Sequence, residues 1–183
     1  MTLTTTFIKL FVLLLSTSYQ PSGELSSIHI EGTSTLHDWV MTVEEIKSSG
    51  TISYNDNTYS TEGLAFTFPV ISLESGKSAM NTNTFNALNE DDYPNITFKN
   101  IAIVKSSGNN YNAKGSLTIS GTTKTVSFPA EIKQIENNRV LASGSYKMKM
   151  TDFNVEPPEV MWGTISTDDD LTIKFNIIFS NSN

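Results

Sequence analysis

The stretch YNAKGSLTISGTTKTVSFPAEI, residues 111–132, decides the fold. Successive side chains of a β-strand point to opposite faces, so parity sorts them. Tyr111, Ala113, Gly115, Leu117 and Ile119 fall on one face, and Asn112, Lys114, Ser116, Thr118 and Ser120 on the other. After the turn that begins at Ser120–Gly121 the alternation resumes, with Val126, Phe128, Ala130 and Ile132 set against Ser127, Glu131 and Lys133. The two runs predict an antiparallel hairpin with one dry face and one wet face.

The same pattern continues toward the C-terminus. Val140, Ala142, Gly144, Tyr146, Met148 and Met150 are set against Ser143, Ser145, Lys147 and Lys149, and Leu171, Ile173, Phe175, Ile177 and Phe179 against Thr172, Lys174 and Asn176. Toward the N-terminus, residues 26–30, 37–44, 50–54, 64–69 and 95–104 read as further strands. In the last of these the apolar parity switches from Ile96 and Phe98 to Ile101 and Ile103, which predicts a bulge near Lys99 and Asn100. The segment SGKSAMNTNTFNALNEDDYP, residues 75–94, lacks alternation. Its Met80, Phe85 and Leu88 have helix-like spacing and Pro94 ends it, so a short helical insertion is expected near residues 76–92.

About eight or nine antiparallel strands with one apolar face must bury it, either against a second sheet or by closing into a barrel. A sandwich core calls for bulky residues at most inward positions. Here Ala113, Gly115, Ala130, Ala142 and Gly144 are small and lie on adjacent strands, and small side chains facing a barrel axis leave volume for a guest. The competing expectation is that Phe, Tyr and Met side chains from opposite strands fill that volume.

Composition narrows the function. With 19 acidic and 12 basic residues the chain carries a formal charge of −7, the wrong sign for a nucleic-acid partner. The absence of cysteine excludes disulfides, thiolate metal sites and a lipidated N-terminal cysteine. The opening residues run from a polar start through Lys9 into Leu10–Leu15 and then into Ser16 and Ser18. That order is expected of an export signal over residues 1–18, too short an apolar run for a membrane span, followed by one domain over 19–183 in the periplasm or outside the cell.

STLHDW, residues 34–39, gathers a histidine, an acid and a tryptophan. Read as a strand, it points His37 and Trp39 inward with Met41 and Val43, and turns Asp38 outward, where it cannot orient His37. No Gly-x-Ser-x-Gly elbow occurs, so no catalytic residue is assigned and no enzyme is expected. His29 and His37 lie eight apart without cysteines or paired carboxylates at ligand spacing, so no metal is assigned either. The run of acids at 168–170 lacks the calcium-loop pattern and reads as a solvated turn.

Four ordered segments carry a family resemblance: STLHDW, the insertion ending in Tyr93–Pro94 with Ile96 and Phe98, GSLTISGTTKTVSF, and MKMTDFNV. Together, across most of residues 27–179, they resemble the YceI family of exported, lipocalin-like polyisoprenoid-binding proteins. The chain departs from the family at Ser78, Ala79, Met80, Asn81 and Thr82, where a charged pair leading to a His-Leu is common, so no headgroup contact carries over from there. The resemblance implies an all-β, antiparallel lipocalin-like barrel that holds an isoprenoid, an isoprenoid quinone or another long-chain lipid without a cofactor, as a carrier or reservoir. The expected lumen residues are His37, Trp39, Phe66, Phe68, Phe98, Gly115, Phe128, Ala130, Gly144, Tyr146, Met148 and Phe175. An exported β-sandwich that binds another protein is the alternative, and a homodimer stays open.

Overall fold

A computed structural model describes residues 17–160 and 163–181. The expected export signal therefore lies outside the described residues, apart from Thr17 and Ser18, which begin the first strand. The strands are β1 (Thr17–Ser34), β2 (Trp39–Val43), β3 (Lys47–Asn55), β4 (Thr58–Pro69), β5 (Leu73–Glu74), β6 (Asn95–Ser107), β7 (Asn110–Ile119), β8 (Thr122–Ile135), β9 (Arg139–Lys149), β10 (Glu159–Val160) and β11 (Ile165–Asn181). A single α-helix among the described residues, α1 (Ser78–Ala87), sits within the expected insertion.

Every pairing is antiparallel, and the order β11-β9-β8-β7-β6-β4-β3-β1 closes on itself because β1 also pairs with β11. The result is an eight-stranded barrel, with β2, β5 and β10 as short extensions at its rim. Closure rules out the sandwich. β2 and β3 act as one interrupted strand along β1, with Gly32 opposite Trp39 at one end and Thr17 opposite Tyr54 at the other in a single hairpin register.

Local chemistry sets the turns and bends. The 119–122 connection is a two-residue turn in which Ser120 and Gly121 both have positive φ, as the right-handed twist of a hairpin demands. The Tyr93 ring lies against Gly121, where a Cβ would come within 2.5 Å of it, and the Pro94 carbonyl accepts the Val70 N–H. Tyr93–Pro94 thus stops the insertion and pins it to the barrel. In β6 the parity switch is a bulge between Lys99 and Ala102, with Asn100 at φ 54°. A second bulge lies in β3 beside Gly50, whose positive φ and close approach to the Gly63 backbone leave no room for a side chain.

The two ends of the barrel differ. At one end Tyr19, Ile52, Tyr59, Tyr111, Ile132, Val140 and Phe179 are all buried. The Tyr59 N–H donates to the Tyr111 hydroxyl at 3.0 Å, and burial pushes the Tyr59 phenol up to about 12. This end is a packed floor. At the other end a single 3-10 turn, Thr151–Phe153, folds Phe153 and Val155 back onto Leu117, Ile119, Val126, Met148 and Met150. Asp169 holds that turn: its carboxylate accepts the Thr151 N–H at 2.9 Å and the Thr151 hydroxyl at 2.7 Å.

Two outcomes follow for stability. Phe179, buried to 2% exposure in the floor, should cost about 3–5 kcal/mol when replaced by Ala, whereas Leu36→Ala at 66% exposure should stay within about 0.5 kcal/mol in urea unfolding. Equal costs would contradict the floor assignment. The hydrogen bonds from Thr151, with help from Lys149, hold the Asp169 carboxyl below its ordinary value. Its contribution is therefore complete above the unfolded-state value of about 4 and lost as pH falls through the lower folded one. The gap in urea midpoint between the wild type and Asp169→Asn should narrow over that acid window, and a gap independent of pH would contradict the clamp.

Candidate functional site

Above the floor the barrel encloses a cavity of about 600 Å³, within the range of small-molecule sites. Ile52, Ile132 and Phe179 form its bottom, and the walls rise through Ile28, Ile30, Leu64, Ile101, Ile103, Ala113, Ala142 and Ile177. Toward the open end, Phe98, Phe128, Tyr146, Ile173 and Phe175 face inward by register yet are only half-buried, because they border space that no side chain fills. Phe128 is the hub of this belt, its ring centroid 5.6 Å from Phe98, 5.4 Å from Tyr146 and 5.5 Å from Phe175. Burial, with the charge of Asp152, raises the Tyr146 phenol above its ordinary value, so it stays neutral.

The opening lies between the 34–38 loop, α1 and the start of β11, where Ser34, Leu36, His37, Lys77, Asn83 and Thr167 reach the cavity. α1 lies across it with Met80, Thr84 and Ala87 toward the lumen, joined by Leu88 just past its C-terminus, and none of the helix residues is buried. No carboxylate lines the cavity among the described residues, and none of them form a group of three or more acids and histidines suited to a metal. The arrangement can hold an apolar molecule by removing it from water, at about 0.8 kcal/mol per buried methylene.

Of the twelve residues expected in the lumen, Trp39, Phe66, Phe68, Phe98, Phe128, Ala130, Tyr146, Met148 and Phe175 line the cavity from strands. His37 also borders it, but not as an inward strand residue. The strand begins only at Trp39, and His37 is exposed in the preceding loop. The cause is Ser34: its hydroxyl donates to the His37 carbonyl at 2.8 Å and accepts the N–H groups of Leu36 and His37, forming a local turn that competes with strand pairing. Asp38 contributes its backbone carbonyl, which accepts from His37 Nδ1 at 2.7 Å, rather than its carboxylate.

Gly115 and Gly144 are the second correction, because neither lines the cavity. A Cβ on Gly115 would meet the Phe98 ring at 2.6 Å, and one on Gly144 would meet the Pro129 carbonyl oxygen at 2.7 Å and Phe175 at 2.8 Å. The missing side chains make room for neighbouring rings rather than for a guest. Trp39 uses Gly32 in the same way, its ring lying on the glycine while its Nε1 donates to the Thr33 carbonyl at 3.0 Å. The sequence reading missed the contributions of Leu36, Lys77 and Asn83. Only the helical spacing of Met80 and Leu88 hinted that the insertion faces the lumen.

The comparisons agree with this architecture. No curated protein matches the chain in sequence. Among solved structures, Burkholderia cenocepacia BcnA superposes with a TM-score of 0.72 at 22% identity, covering 86% of this chain and 98% of that one. A polyisoprenoid binding domain from Saccharophagus degradans, implicated in plant cell wall breakdown, gives 0.66 at 10% identity, covering 91% and 99%. The YCEI protein of Campylobacter jejuni gives 0.58 at 18% identity, covering 75% and 82%. At these identities the likeness is one of fold. The model of the YceI-like domain matches residues 19–179, and the chain belongs to that family.

Proposed function

We propose that the protein binds a long-chain apolar lipid, of the polyisoprenoid, isoprenoid-quinone or similar class, inside the barrel. The observation that carries this reading is the half-buried aromatic belt around unfilled space. A folded core packs to crystal-like density, so inward-facing Phe98, Phe128 and Phe175 with accessible surface are costly unless a guest covers them. Membership of the YceI-like family and the polyisoprenoid binding described for the Saccharophagus degradans domain support the same class of ligand. Among the described residues that line the cavity, no nucleophile, base and carboxylate are held together, which favours a binding protein over an enzyme.

A carrier or reservoir in the cell envelope fits that chemistry. The opening is flanked by Leu36, 66% exposed, and by α1, which has no buried residue, so a chain can enter end-on without breaking the barrel wall. Export by residues 1–18, and a periplasmic or secreted place, belong to the same proposal. No helix among the described residues is long and apolar enough to cross a membrane.

The test is native mass spectrometry of the protein from its own host, with organic extraction and identification of what is released. A co-purifying long-chain lipid is expected. Ile173→Trp, which adds a ring into the empty part of the lumen, should abolish that load while escaping the usual overpacking cost of about 1–3 kcal/mol in thermal unfolding. An unchanged lipid load in the variant, or a wild type that carries no lipid and binds no hydrophobic probe, would contradict the proposal.

A further inference from the structure

The lining of the cavity holds one lysine, one histidine and no carboxylate among the described residues, in a chain with 19 acids and 12 bases. The two basic residues meet at the opening. His37 Nε2 lies 3.5 Å from Lys77 Nζ, and His37 Nδ1 is engaged by the Asp38 carbonyl at 2.7 Å. The ring is therefore fixed with its Nδ1–H donating and its Nε2 turned to the ammonium. Lys77 makes no ion pair with any described residue, a state it shares with Lys99, Lys105, Lys114 and Lys147, but it alone of the lysines lines the cavity among the described residues. Asn83, on the next turns of α1, reaches the cavity with a side-chain amide that has no partner among the described residues.

Two exposed acids lie close in the chain to this pair, Asp38 beside His37 and Glu74 three residues before Lys77, and neither forms an ion pair with Lys77. Glu74 accepts the Gly76 N–H at 2.6 Å, and Asp168 accepts from the Thr33 hydroxyl at 2.5 Å. The Lys77 ammonium, paired with no described carboxylate, thus stands at the opening of an apolar shaft.

We propose that Lys77, steadied by His37, receives the anionic headgroup of an amphiphile whose chain occupies the cavity. This rests on the lipid-binding reading above and narrows it to chains ending in a carboxylate or phosphate. The geometry suits a single anionic end. The ammonium is a compact charge that accepts either group without a fixed fork. The residues that follow Lys77, Ser78 and Ala79, are small, and Met80 is the first long side chain after it.

The experiment compares dissociation constants of radiolabelled hexadecanoate and hexadecanol, at about pH 8 where the carboxylate is ionised. The wild type should bind hexadecanoate about fivefold more tightly, the gain of one well-placed exposed ion pair. That ratio should fall to about one in Lys77→Gln and in the wild type at ~1 M salt, and should persist in Lys77→Arg. Acetate alone should not displace hexadecanoate. Equal affinities in the wild type, a ratio unchanged in Lys77→Gln and at high salt, or displacement by acetate would overturn the headgroup site while leaving the cavity reading intact. Failure of the wild type to bind either chain would overturn the cavity reading itself, and the headgroup site with it.

Discussion

The pairing of β1 with β11 is the constraint on which the rest depends. It turns a sheet with one apolar face into a closed wall, removes both edges and commits every inward side chain to one enclosed volume. Eight strands give an interior that side chains can just fill. They do so at only one end, where Tyr19, Tyr59, Tyr111, Val140 and Phe179 pack together. At the other end the same wall carries rings that stop short of the axis, and that shortfall is the cavity.

Three glycines determine how those rings stand. Gly32, Gly115 and Gly144 sit beneath Trp39, Phe98 and Phe175, each ring lying flat enough that a Cβ would collide with it. Aromatic cover of a strand glycine keeps the wall smooth and leaves the axis open. A ring standing upright from the wall would occupy the lumen instead. The glycines thus shape the lumen only indirectly, by letting large side chains lie against the wall.

The strand pattern, the hairpin at Ser120–Gly121, the bulge near Asn100 and the insertion ended by Pro94 were legible because each is a local signal, in parity, turn chemistry or a missing N–H. Gly50, read as the start of a strand, lies in the interior of β3, because a strand glycine marks a bulge as readily as an end. His37 was misplaced because parity assumes an unbroken strand, and the Ser34 hydroxyl breaks it with three hydrogen bonds. The aromatic belt was legible as a set of inward residues. Whether the rings met across the axis or lay along the wall depends on contacts between strands far apart in sequence, which no local pattern encodes. The juxtaposition of Lys77 with His37, forty residues apart, belongs to the same class.

The central claim is that unfilled space above the floor takes a long apolar chain lying along the barrel axis. A crystal structure of the protein with a long-chain alcohol brominated near its distal end tests it most directly, since the anomalous signal of bromine locates the chain without prior assumptions. The account predicts a bromine peak inside the barrel near Ile132, Ile177 and Phe179, at the bottom of the cavity. A peak on the outer surface, or a lumen free of bromine at saturating ligand, would contradict it.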